Sequence, residues 1–153
     1  MNIFVTHKNP AHCARALDNV RLNKMTVETA QIISTVLRIT YQDETPALYR
    51  PAYRHHPCVK WAMKRSEHLV WLIHLFFEYT NEYTRRFRKV HRSEETLAAH
   101  LTEILNILPP LTTELDFYNG SAHKELPVFE AYRLTLREKW QQDTLKGRPP
   151  HFS

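Results

Sequence analysis

Glycine occurs only twice in the 153 residues, at Gly120 and Gly147. Glycine supplies left-handed turns and close backbone approach, so its scarcity limits the folds open to the chain. No phosphate-cradling Walker loop, dinucleotide fingerprint or glycine-built nucleophile elbow can be written here. A β-rich fold would also want more turn glycine. Helices do not, and the apolar repeats along the chain have helical spacing. The sequence therefore predicts an all-α protein. It is a single-domain compact helical bundle of about five helices over 1–153, with a short extended N-terminal arm and a basic tail at about 144–153. That length is enough to bury a core without disulfide or metal staples.

The stretch from Asp18 to Arg38 organises the rest. Leu22, Met25, Thr29, Ile32, Ile33, Val36 and Leu37 recur at helical spacing and make one broad apolar face. Val20, Val27 and Ala30 make a second strip. Between the strips runs a polar row of Arg21, Lys24, Glu28 and Gln31, with Asp18 one turn earlier. A helix packed on two sides holds such charge near a core only if the groups pair internally or meet a ligand. Both possibilities are open from the sequence. On the second, Arg21 and Lys24 would hold phosphate, and Glu28 would act as base or electrostatic stabiliser.

Elsewhere the punctuation is clear. Asn2–Thr6 reads as a short strand or an extended arm. Asn9-Pro10 is a cap and first-position pair, starting a helix that runs to about Arg38, with a break expected near Asp18-Asn19. Asp43–Arg54 is a surface loop carrying Tyr49, Arg50, Tyr53 and Arg54. His56-Pro57 restarts the helix, and Ser66 is the expected cap of the next, reaching to about His91. Leu69, Leu72, Ile73, Phe76, Tyr83, Phe87 and Val90 form the core face of that helix. Ser93 with Glu94 and Glu95 begins another helix to Ile107, and Pro127 opens the last, to about Asp143.

The formal net charge is +5, with ten histidines in reserve below neutral pH. An anionic partner is favoured, nucleic acid being the commonest. Arg85, Arg86, Arg88, Lys89, His91 and Arg92 exceed what helix-end electrostatics requires, so they are the candidate phosphate patch. Tyr49-Arg50, Tyr53-Arg54, Arg86-Phe87-Arg88 and Tyr132-Arg133 set stacking rings beside cations. His55-His56-Pro57-Cys58 invites a zinc reading, but Cys13 is the only other cysteine and no second close pair accompanies it. No metal and no cofactor is expected, and His56 is read as a capping or buried ring. Two cysteines show no disulfide framework, which points to a reducing cytoplasm. The first residues have too short an apolar run for a signal peptide, and no segment reads as a membrane span.

Several motifs are similar to those of a group of small phage-type helical proteins. They are Asn2–Val5, Lys24-Met25 with Glu28–Gln31, Ser34-Thr35 and Arg38, His56-Pro57-Cys58 with Trp61, and Ala131-Tyr132-Arg133 with Lys139-Trp140. In layout the chain resembles, more distantly, the pyrimidine-dimer DNA glycosylases of the endonuclease V type. Those are small, basic and all-helical, with a short N-terminal arm feeding an early catalytic helix and a Pro-aromatic tail, here Pro149–Phe152. The resemblance implies attack on a sugar carbon by the N-terminal amine, a Schiff-base intermediate, and a glutamate beside an arginine on the first helix. Arg21 matches the arginine. Leu22 stands where the glutamate would be, so Glu28 would have to substitute. The bulk of Asn2 implies that Met1 is retained and carries the amine.

These features point to a DNA-acting protein of glycosylase or base-processing type, working as a monomer in the cytoplasm (the host's, if phage-encoded). Asp18, Arg21, Lys24 and Glu28 would form its centre. Arg85, Arg86, Arg88, Lys89, Arg92, Arg50, Arg54 and Arg133 would hold the backbone, with Tyr49, Tyr53 or His56 stacking on bases. Two alternatives stand beside it: a non-catalytic nucleic-acid-binding phage accessory protein, and a small enzyme acting on a nucleotide or other anion.

Overall fold

The computed structural model describes residues 2–153. Six helices follow one another: α1 Pro10–Ala16, α2 Asn19–Thr40, α3 Pro57–Lys64, α4 Ser66–Phe87, α5 Arg92–Ile107 and α6 Val128–Leu145. No strand is present among the described residues. Residues 2–6 form an arm without regular structure, and where full extension was expected it kinks at Phe4, φ 53°, with the Thr6 N–H donating to the Phe4 carbonyl at 2.9 Å.

Each boundary has a local cause. The Asn9 side chain accepts the Ala11 N–H, and Pro10 sits at the first helical position of α1. The break expected near Asp18-Asn19 is real, because Leu17 and Asp18 are both extended. Asp18 takes the N-cap role of α2, its carboxylate accepting the Arg21 N–H at 3.3 Å. A capping residue must be non-helical, so the cap itself separates α1 from α2. His56 caps α3 through Nδ1, which accepts the Cys58 N–H at 3.1 Å. α4 includes Ser66, and Arg65 stands at its cap position without a capping bond. It ends at Phe87, four residues before the expected His91. Arg88 turns left-handed, with φ 58°, and stops it. His91 is then free to cap α5, Nδ1 accepting the Ser93 N–H at 3.0 Å.

The two long helices, α2 and α4, pack on each other and define the core. α1 lies on α4, while α3 and α5 each touch both long helices. The arm does not lie outside this bundle. Ile3, Val5 and Thr6 are buried, Phe4 meets the Tyr132 ring of α6 at 6.0 Å, and the Tyr79 hydroxyl of α4 donates to the Ile3 carbonyl at 3.3 Å. Ile3 and Phe4 are thus held between α4 and α6.

The broad apolar face of α2 is buried, Leu22 completely so. The second strip is only partly covered. Ala30 is buried, but Val20 is 75% exposed, in the first turn of α2 beside Pro149 and Pro150 of the tail. Val90 is likewise exposed, because it falls in the turn between α4 and α5 rather than on the α4 core face.

Candidate functional site

The polar row on α2 divides into two ends with different surroundings. At the first end Asp18 is only 3% exposed. Its Oδ1 accepts from Arg21 Nη1 at 3.1 Å and from Trp140 Nε1 at 2.8 Å. Arg21 Nη1 also donates to Asp143 Oδ2 at 2.9 Å. Burial works against the Arg21 charge, but the Asp143 and Asp18 carboxylates outweigh it and raise its pKa. The hydrogen bond from Arg21 in turn lowers that of Asp143. These groups tie α2 to α6 and answer each other's charge.

The C-terminal tail lies over the same end. The Asn19 N–H donates to the His151 carbonyl at 2.7 Å, and Asn19 Nδ2 to the Ser153 carbonyl at 3.1 Å. Phe152 meets Trp140 edge-on at 5.4 Å and lies 5.8 Å beneath the Arg86 guanidinium. A cleft of about 340 Å³ remains between tail and helix, bordered by Arg21, Lys24, Asp143, Arg148 and His151. Lys24 is exposed on its rim.

Glu28, at the other end, is half-buried and makes no ion pair among the described residues. Its negative charge bears on Tyr79, His56 and Cys58. Tyr79 is the residue that holds the Ile3 carbonyl. Asn2 Oδ1 accepts the Ile3 N–H at 2.8 Å. A β-carbon at Gly120 would meet that same Oδ1 and the Tyr132 hydroxyl at 3.0 Å each, so this glycine lets the 118–121 turn close over the arm. The Tyr132 hydroxyl accepts the Gly120 N–H at 2.8 Å and donates to the Tyr118 carbonyl at 3.2 Å. Burial lowers the pKa of His56, opposed in part by Glu28. Burial also pushes the Cys58 thiol up to about 11 and raises both buried phenols. Two un-ionised phenols, Tyr79 and Tyr132, therefore hold Ile3 and Phe4 of the arm. The expected nucleophilic amine of Met1 lies outside the described residues.

The basic cluster at the end of α4 is not uniform. The Arg86 side chain is 1% exposed. It donates to Glu82 Oε2 at 2.7 Å, the Leu17 carbonyl at 2.6 Å, Asn19 Oδ1 at 3.2 Å and the Arg15 carbonyl at 3.2 Å. Arg85 pairs with the same Glu82. Arg88, Lys89 and Arg92 are exposed. The cluster adjoins the first end of the α2 row, since Arg86 reaches Leu17 and Asn19, and His91 Nε2 meets Asn23 Oδ1 at 3.0 Å. In the 43–54 loop Arg50, Tyr53 and Arg54 are exposed, whereas the Tyr49 hydroxyl bonds Ser93 Oγ at 2.8 Å. Arg133 Nε donates to the Thr6 carbonyl at 2.9 Å, beside the arm.

Sequence reasoning missed Trp140 and Asp143 as partners of the row, because 122 positions separate each of them from its partner. It also missed the closeness of Asn2 to residue 120, for which the isolated glycine was the available signal. Among the described residues no group of three or more histidine, cysteine, aspartate or glutamate side chains is placed to hold a metal ion. Nor, among the described residues, is any helix long and apolar enough to cross a membrane.

A model of the family described as pyrimidine dimer DNA glycosylase matches residues 1–96. The match takes in the arm, α1 to α4 and the start of α5, and with them Arg21, Lys24, Glu28 and His56. No curated protein and no solved structure shows a significant match.

Proposed function

Because the chain belongs to the pyrimidine dimer DNA glycosylase family, we propose that it excises a damaged pyrimidine from duplex DNA. In this scheme the amine at the start of the chain attacks the sugar C1′ and displaces the base, leaving a Schiff base. Glu28 handles the protons of that step and of the following elimination. The observation that supports this assignment is that Glu28 is the one acidic residue within α2, half-buried and inside the matched residues. Leu22, the residue after Arg21, is fully buried in the core. Glu28, nearly two turns later on the same helix, acts electrostatically on His56 and on Tyr79, the residue bonded to the Ile3 carbonyl.

The other residues divide by their surroundings. Asp18 and Arg21 brace α2 against α6 and so position Glu28, rather than taking part in the chemistry. Lys24, Arg50, Arg54, Arg88, Lys89 and Arg92 are exposed cations suited to backbone phosphates. Exposed Tyr53 and half-buried His56 are the stacking groups for the base or for the gap it leaves.

The test is borohydride reduction during incubation with a duplex carrying one cyclobutane thymine dimer. A covalent protein–DNA complex is expected. Glu28→Gln should lower excision by about 10²- to 10⁴-fold, the usual contribution of a general acid or base, while DNA binding persists. If the wild-type chain binds DNA but neither dimer-containing nor abasic duplexes are trapped or cleaved, the enzymatic assignment fails and a non-catalytic binder remains.

A further inference from the structure

Apart from the site around Glu28, the arm meets a second group of chemically active side chains. We propose that His7, His12, Arg15 and Arg133 form a cradle for a single phosphate group, filled in the working complex by a phosphodiester of the DNA strand. Three segments supply it: the end of the arm, α1 and α6. Arg133 is fixed beside residue 7 by its Nε bond to the Thr6 carbonyl, at 2.9 Å. Among the described residues its side chain makes no other hydrogen bond or ion pair, so its terminal nitrogens remain for a ligand. Thr6 Oγ1 lies 2.9 Å from His7 Nδ1 and orients that ring. The His12 ring stands edge-on to His7 at 5.4 Å. Arg15 follows His12 by one helical turn, with its carbonyl held by Arg86 and its side chain exposed.

The charges here are of one sign. Those acting on His7 come from Arg133, His12 and Arg15 and, after burial, they lower its pKa further. Of the nearby carboxylates, Glu78 of α4 is half-buried and borders a cavity with Lys8 and Pro10 that neither His7 nor His12 lines, and the others are engaged elsewhere or lie outward. Lys8, next in the chain, pairs with Glu114, and on α4, which packs on α1, Glu82 is held by Arg85 and Arg86. On α6, Glu130 and Arg137 stand one turn to either side of Arg133 and are exposed. Two permanent cations and two protonatable rings are left for an anion to engage. A phosphate has oxygens enough for several of them at once, and it would draw a proton onto the imidazoles.

The inference rests on the proposed function only in taking DNA as the carrier of the phosphate. Two measurements on the full chain separate the two. In the first, imidazole resonances are followed by NMR during titration with inorganic phosphate. Phosphate, but not chloride, should raise the apparent pKa of His7 and His12, and unmoved resonances would overturn the cradle. In the second, binding to undamaged duplex is measured against salt at pH 6 and pH 8. Wild type should bind several-fold more tightly at pH 6. Arg15→Gln and His12→Gln, both at exposed positions, should each weaken binding, and Arg15→Gln should reduce the salt slope by about one. The pH difference should shrink in His7→Gln/His12→Gln. If phosphate moves the imidazoles but the variants bind duplex as wild type does, the strand assignment is overturned and the cradle serves a small phosphate. A chain that passes both tests yet traps no dimer-containing DNA would keep the cradle and lose the glycosylase assignment.

Discussion

Asp18 shows how far a single residue's role depends on partners distant in sequence. Its carboxylate caps α2 and receives Arg21 Nη1 and Trp140 Nε1 at once. Asp18→Ala should therefore cost on the order of 2–3 kcal/mol, combining a lost cap with stranded donors. Asp18→Asn, which keeps an acceptor oxygen, should cost about half as much. Urea unfolding measures both. If Asp18 were a catalytic acid, the Asn variant would be inactive although folded; as a brace it should stay active. Arg86 makes the same point with opposite charge. It is buried against Glu82 and three acceptors around the α1–α2 junction, so Arg86→Met should cost about 3 kcal/mol. It should barely change the salt dependence of DNA binding, whereas Arg88→Gln and Lys89→Gln should each flatten it. Residue type and spacing showed that α2 carries charge in a row and α4 ends in cations. Neither could show that one member of each group faces inward, because burial of Asp18 and Arg86 is decided by α6 and by the chain at 15–19.

At the scale of elements, the starts of helices were legible and their ends less so. Asn9-Pro10, His56-Pro57 and Pro127 announce themselves because proline and capping side chains act within a few residues. The end of α4 depends on Arg88 adopting a left-handed turn, a conformation that arginine does not advertise. The tail is the clearest case of an element invisible to pattern. Residues 148–153 have no regular structure, yet they cover the start of α2 through Asn19, Trp140 and Arg86. Truncation after Lys146 should lower stability by about 1 kcal/mol, the worth of one partly buried aromatic ring. It should also shift the Trp140 fluorescence and speed amide exchange in the first turn of α2. If neither optical nor exchange signals change, the tail does not rest on this surface in solution.

Across the whole molecule, burial of histidine sets how the fold responds to acid. Burial lowers the pKa of His7, His56, His68 and His91 below the usual imidazole value. His68 is the most constrained of them. Its ring stacks on Trp61 at 4.0 Å, Nδ1 lies 2.6 Å from the Trp61 carbonyl, and Nε2 is buried without a hydrogen-bond partner among the described residues. With Nδ1 donating to that carbonyl, protonation would place a buried N–H at Nε2 with no protein acceptor. For all four the unfolded chain binds protons more readily than the folded one. Their stabilisation is therefore complete above the unfolded pKa, about 6.5, and is lost as pH falls from there through the lower folded values. A second loss belongs to Asp43, Glu67, Glu82 and Asp143, whose pKa values are also lowered in the fold, so their contribution persists to about pH 4 and disappears below it. Unfolding free energy measured by urea should thus be flat near pH 8, fall between pH 7 and pH 5.5, and fall again below pH 4. His68→Phe keeps an aromatic ring on Trp61 and removes one titrating group, so it should shrink the first step and leave the second intact. A profile that stays level from pH 8 to pH 5.5 would mean that these imidazoles take up protons without opening the core, contrary to the packing around His68.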